Sequence, residues 1–84
     1  MSTKKKLIER FKSQPKNFTW DEFVRLFSTY DFVVDNRGKT SGSRTRFKNN
    51  NYVFYAHKPH PSNIIKESAL NRALDYLKNN GFID

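Results

Sequence analysis

The chain contains no cysteine. That excludes disulfides and thiolate metal sites, and makes a reducing, cytoplasmic setting the expected one. No apolar run approaches the ~18 residues that would cross a membrane. No apolar segment follows the Lys4–Lys6 trio either, so no secretion signal is expected. Without secretion the Asn17-Phe18-Thr19 glycosylation sequon has no consequence. Neither a linker nor an internal repeat is visible, and the low-complexity content is one Asn trio, Asn49–Asn51. A Ser-His-Asp set, a glycine-rich phosphate loop and a paired-carboxylate site are all lacking. Acidic residues are scarce, eight against sixteen Lys and Arg, and this leaves +8 on 84 residues.

A charge of that size and sign favours a polyanionic partner and speeds its capture. Nucleic acid, an anionic membrane and an acidic protein all satisfy it. The length allows one domain, residues 1–84, with Met1 to Thr3 expected to be loose. Aromatics are frequent, with eight Phe, four Tyr and one Trp, and most must form the core.

Leu7, Ile8 and Phe11 fall at helical spacing and predict a helix over Lys4–Ser13. Pro15 stops it and pushes Gln14 out of the helix. Thr19-Trp20-Asp21-Glu22 reads as the start of a second helix, with Thr19 as cap and Glu22 closing a capping box. Phe18, one place earlier, is expected to staple onto Phe23. The stripe Phe23, Leu26, Phe27 carries this helix to about Tyr30. Phe32-Val33-Val34 reads as a short strand, and Asp35 to Gly38 as a turn.

Two alternating runs, Ser43–Lys48 and Tyr52–His57, then flank the asparagines and predict a β-hairpin. A turn centred between Asn49 and Asn50 sets Phe47 opposite Tyr52, Thr45 opposite Phe54 and Ser43 opposite Ala56. These residues face the helices. Arg44, Arg46 and Lys48 then share the other face with Val53, Tyr55 and His57. Pro59-His60-Pro61 is a stiff loop, and Ile64 and Ile65 anchor its return. A last helix is predicted over Lys66–Asn80, with Leu70, Ala73, Leu74 and Leu77 as its stripe and Gly81 just past its end. The order α-α-β-β-β-α makes an α+β, two-layer fold. A three-stranded antiparallel sheet carries the helices on one face and leaves the other wet and basic. The last strand and helix resemble the double-stranded-RNA-binding-domain-like arrangement.

The Gly42-Ser43 pair opens a strand. The run from His60 through Pro61 and Lys66 to Leu70 feeds a terminal helix that ends in Asn80-Gly81. In these features and their order the chain resembles the HicA family of small toxins. The resemblance covers most of the chain after Lys16. It implies the toxin of a type II toxin–antitoxin pair: an mRNA interferase, or endoribonuclease, that needs no cofactor and blocks translation. It also implies an acidic HicB-type antitoxin as partner. The family places its main catalytic histidine directly after Gly-Ser, and Arg44 stands there in this chain. A second family histidine, before the final helix, is matched by His60.

Cleaving RNA without a metal takes a base at the 2′-hydroxyl, an acid at the 5′-oxygen and positive charge on the phosphorane. Histidine suits the proton transfers. Arginine suits the charge but gives up no proton. The candidate catalytic residues are therefore His57 and His60, with Arg44 on phosphate. Lys39, Ser43, Arg46, Lys48, Tyr55 and Lys58 are the candidate RNA contacts, with Tyr55 also able to stack on a base. The plainer readings are a solvated strand face, a strand-end histidine bonded to a loop, and a helix start of solvated lysines. Two histidines three apart make no closed metal site. A non-catalytic RNA-binding module on the same fold is the alternative function, and a protein-interaction domain for an acidic partner is a third.

Overall fold

The computed structural model describes residues 3–35, 44–59 and 62–83, leaving aside the side chain of residue 3. Three helices and three strands follow in the order α1 (Thr3–Lys12), α2 (Trp20–Thr29), β1 (Val33–Asp35), β2 (Arg44–Asn49), β3 (Tyr52–His57) and α3 (Glu67–Asn79). The strands form one antiparallel sheet in the order β1-β2-β3. The helices cover one face of it, giving the α+β, two-layer arrangement the pattern predicts. No helix among the described residues is long and apolar enough to cross a membrane.

Local chemistry explains the helix ends. Thr19 accepts from the Glu22 N–H, and Glu22 accepts from the Thr19 N–H at 2.9 Å, so the capping box forms as read. At the other end of α2 the Asp31 and Phe32 N–H groups return to the carbonyls of Ser28 and Phe27. This is a Schellman closure, with Asp31 in the left-handed region at φ 67°. α2 thus ends at Thr29, one residue before the Tyr30 expected from the sequence, with Tyr30 as its cap. Phe32 is buried, and the strand starts at Val33. The end of α3 repeats the motif around Gly81, whose φ is 81°. Lys66 is the cap residue of α3 rather than its first helical residue.

The core is aromatic. The Phe27 ring lies 4.8 Å from Phe47, 5.0 Å from Phe23, and 5.2 Å from both Phe32 and Phe54, centroid to centroid. One side chain of α2 thereby ties that helix to two strands and to the chain leaving it. Trp20 stacks on Phe23 and is core, as read. Phe18 is buried with its ring 5.7 Å from Phe11 of α1. From α3, Leu70, Ala73 and Leu77 are fully buried, while Leu74 is half-buried.

The hairpin register differs from the expected one by two residues. Thr45 pairs with Ala56, Phe47 with Phe54, and Asn49 with Tyr52. The turn therefore falls on Asn50-Asn51, with Asn50 at φ 51°. Asn49 is kept in the strand because its side-chain amide donates to the Tyr30 carbonyl at 2.9 Å, a bond that reaches across to the end of α2. A shift of two leaves every side chain on its expected face. Phe47, Phe54 and Ala56 are buried, and the cations lie outside.

α1 is held on the helical layer by Leu7 and Phe11 and by an ion pair. Arg10 Nε donates to Glu22 at 2.7 Å, and another guanidinium nitrogen reaches the Asn17 carbonyl at 3.0 Å. The Arg10 hydrogen bond, helped by those from Thr19, holds the Glu22 carboxyl below the usual carboxylate range against partial burial. Because the folded-state value is depressed, this stabilisation is present above the unfolded-state pKa of about 4.3 and drains away as pH falls through the folded value. Glu22→Gln keeps an acceptor for the cap and removes the charge. In urea unfolding its deficit against wild type should be clear at pH 7 and shrink at pH 3. A deficit independent of pH would show that the charge contributes nothing.

Candidate nucleic-acid interface

The outer face of the sheet gathers the cross-strand pairs Arg44–His57, Arg46–Tyr55 and Lys48–Val53. The two-residue shift sets His57 directly opposite Arg44, where the expected register would have put Tyr55. Directly opposed side chains on one face have Cβ atoms about 5 Å apart. The two side chains therefore leave the sheet from directly opposed positions on one face, and both are exposed. The Arg44 guanidinium lies over the Tyr55 ring, 4.2 Å from its centroid. Stacking of this kind fixes the plane of an arginine while leaving its N–H edge to donate.

Arg46 has a different environment. It is bonded to Asp35, the neighbouring residue on β1, whose side chain is only 7% exposed. The Asp35 carboxylate, and after it the Tyr55 hydroxyl, raise the Arg46 pKa further above its ordinary value. Sequence reading put Asp35 in a turn. It is a strand residue opposite Arg46, and local composition carries no sign of that pairing. Much of the Arg46 charge is thus spent inside the protein. Arg44 and Lys48 remain the outward cations of β2.

Beyond the end of β3 the face continues into an open groove of about 750 Å³. His57 and Lys58 form one wall. Lys66, Ser68 and Arg72 of the α3 region form the other, and Ile64, Ile65 and Ala69 line it between them. Two backbone bonds position the loop before α3. Trp20 N–H donates to the Asn63 carbonyl and Ile65 N–H to the Phe18 carbonyl, both at 2.8 Å. These clip the loop to the start of α2 and bury Ile65. Arg72 donates to the Tyr55 carbonyl at 2.8 Å and lies 5.1 Å over the Phe54 ring. It was missed in the sequence, although its spacing from Ser68 and Ala69 on one helix face was visible. Lys66 makes no side-chain cap for α3, so the positive end of that helix opens toward the groove.

Of the nine candidate residues, Arg44, Arg46, Lys48, Tyr55, His57 and Lys58 come together on the outer face or its continuation. Lys39, Ser43 and His60 lie outside the described residues. Chemically, the arrangement offers a proton-transfer group beside a phosphate-binding fork. Next to them is a groove with an apolar floor and cationic walls, which suits a nucleotide.

The Asp35–Arg46 pair is asymmetric, and its two halves should respond differently to substitution. Asp35→Asn leaves Arg46 free to turn to water and should cost about 1–3 kcal/mol in urea unfolding. Arg46→Gln takes the cation away from that buried carboxylate and should cost more. Equal losses would mean that Asp35 is solvated without its partner.

The family model for the HicA toxin of bacterial toxin–antitoxin pairs matches residues 20–82. The match begins at the first residue of α2, passes through all three strands and α3, and leaves α1 outside. No curated protein and no solved structure matches the chain significantly.

Proposed function

The chain belongs to the HicA toxin family, and we propose that it is the toxin of its pair, a metal-independent endoribonuclease that cuts mRNA and so blocks translation. The observation that carries this reading is His57 directly opposite Arg44 at the mouth of a cationic groove. RNA lies across the outer face of the hairpin. A base removes the 2′-hydroxyl proton, the 2′-oxygen bonds to phosphorus, the bond from phosphorus to the 5′-oxygen breaks, and an acid protonates that oxygen. His57 takes one proton transfer. His60, which the family pattern places before the last helix, is the candidate for the other. Arg44, its plane set by Tyr55, donates to the phosphorane oxygens, where fixed charge lowers the barrier. Lys48 on one side, and Lys58, Lys66 and Arg72 on the other, hold the flanking phosphates. The order α2-β1-β2-β3-α3 supports a double-stranded-RNA-binding-like core. An acidic HicB-type antitoxin would inhibit by covering the same face, with charge complementarity setting its on-rate.

A second reading rests on one residue. Arg44 occupies the family's histidine position and cannot act as a base. A chain that kept the surface and lost the chemistry would be an RNA-binding module.

Cleavage of a structured mRNA in EDTA separates the two readings. Wild-type protein should cut it, and His57→Ala should slow cutting by about 100-fold or more. Arg44→Lys should retain more activity than Arg44→Gln. Undiminished cutting by His57→Ala, His60→Ala and the double variant would contradict the histidine assignment. Folded protein that shifts the RNA without cutting it would favour the binding module.

A further inference from the structure

The segment ahead of the family match is densely charged. Residues 1–19 hold six cations, Lys4, Lys5, Lys6, Arg10, Lys12 and Lys16, against the single acid Glu9, a net +5 of the total +8. Three of these lysines stand in the first turn of α1, which contains no acid. The helix dipole is positive there, so this is an unfavourable place for cations on grounds of helix stability. α1 nevertheless forms and is fixed. Leu7 and Phe11 are buried, and Arg10 is bound to Glu22.

Between α1 and α2 runs an open groove of about 400 Å³, walled by Lys4, Lys6, Arg10 and Arg25, with Thr29 and Glu22 beside them. Its one carboxylate is already paired with Arg10. The exposed ammonium and guanidinium groups of Lys6 and Arg25 face the same space from two helices. The groove belongs to the helical layer, whereas Arg44 and His57 stand on the opposite, outer face of the sheet. A basic amphipathic helix can also lie on a membrane, but only by inserting its apolar face. Here that face is spent on the core.

We propose that the α1–α2 groove is a second RNA-binding site that holds the phosphate backbone of a structured RNA away from the site of cleavage. It is a docking surface added to the family core by the N-terminal helix. Its contacts are made by lysine and arginine side chains that meet phosphates and read no sequence, so they contribute affinity and salt dependence rather than choice of cleavage site. The proposal shares the RNA substrate of the reading above but does not need the chain to cut.

The test uses a fluorescein-labelled 2′-O-methyl RNA stem-loop, which lacks the attacking hydroxyl, and follows its binding by anisotropy across a potassium chloride series. The full-length triple variant Lys4→Gln, Lys6→Gln, Arg25→Gln is compared with Lys12→Gln, Lys16→Gln, Lys78→Gln. The second triple removes the same charge from exposed positions outside the groove. Unchanged helical circular dichroism confirms that both are folded. The groove triple should lower the slope of log affinity against log salt by about 2 units, and the control triple by well under half of that. Equal slopes for the two triples would reduce the effect to overall charge and overturn the proposal. So would a groove triple that binds RNA like wild type. If that variant instead lost binding only to poly-L-glutamate, the groove would belong to an acidic protein. Failure of the chain to cut ordinary RNA would leave the slope comparison intact.

Discussion

The rest of this structure depends on Phe27, a single ring of α2 with four other phenylalanines around it. A three-stranded sheet of short strands is marginal alone and needs one face covered. Phe27, with Phe23 and Trp20, supplies that cover by meeting Phe47 of β2 and Phe54 of β3. Once those two rings face inward, the alternation of a strand forces Arg44, Arg46 and Lys48 outward together. The cationic face is therefore a consequence of core packing. Its charges lie side by side because the inner face is tightly occupied and the register has nowhere else to go.

That constraint separates what the sequence reveals from what it conceals. The capping box at Thr19 and Glu22 depends on residues three apart, and was readable as a string. So was the sorting of the hairpin into two faces, because alternation is local. The exact pairing was not. Three consecutive asparagines offer neighbouring turns of similar cost, and the choice is made by Asn49 bonding to Tyr30, nineteen positions away. Asp35 and Arg72 were hidden for the same reason. One answers a strand partner, and the other answers the backbone of Tyr55 and the ring of Phe54. The groove beyond His57 is likewise built by a bridge between residues 18–20 and 63–65, which no local pattern announces.

The sheet gives Arg44 a definite geometry within the proposed reaction. Arg44 cannot exchange a proton, but stacked on Tyr55 and opposite His57 it can bind the charge that a proton-transfer group creates. On this account two labours that are easily assigned to one residue are divided between neighbours on adjacent strands. A similar division holds on the larger scale. Within residues 20–82 lies the groove suited to a nucleotide, while the ten residues of α1 bring half of the net charge.

The central claim is that RNA is cut by its own 2′-hydroxyl, beside His57 and Arg44. The most direct measurement is the chemistry of the ends left on a defined RNA incubated with purified protein in EDTA, read by mass spectrometry. The account predicts a 2′,3′-cyclic phosphate on the upstream fragment and a 5′-hydroxyl on the downstream one, with no product when the nucleotide at the cut carries a 2′-O-methyl group. Fragments ending in a 3′-hydroxyl and a 5′-phosphate, or cutting that survives 2′-O-methylation, would contradict it.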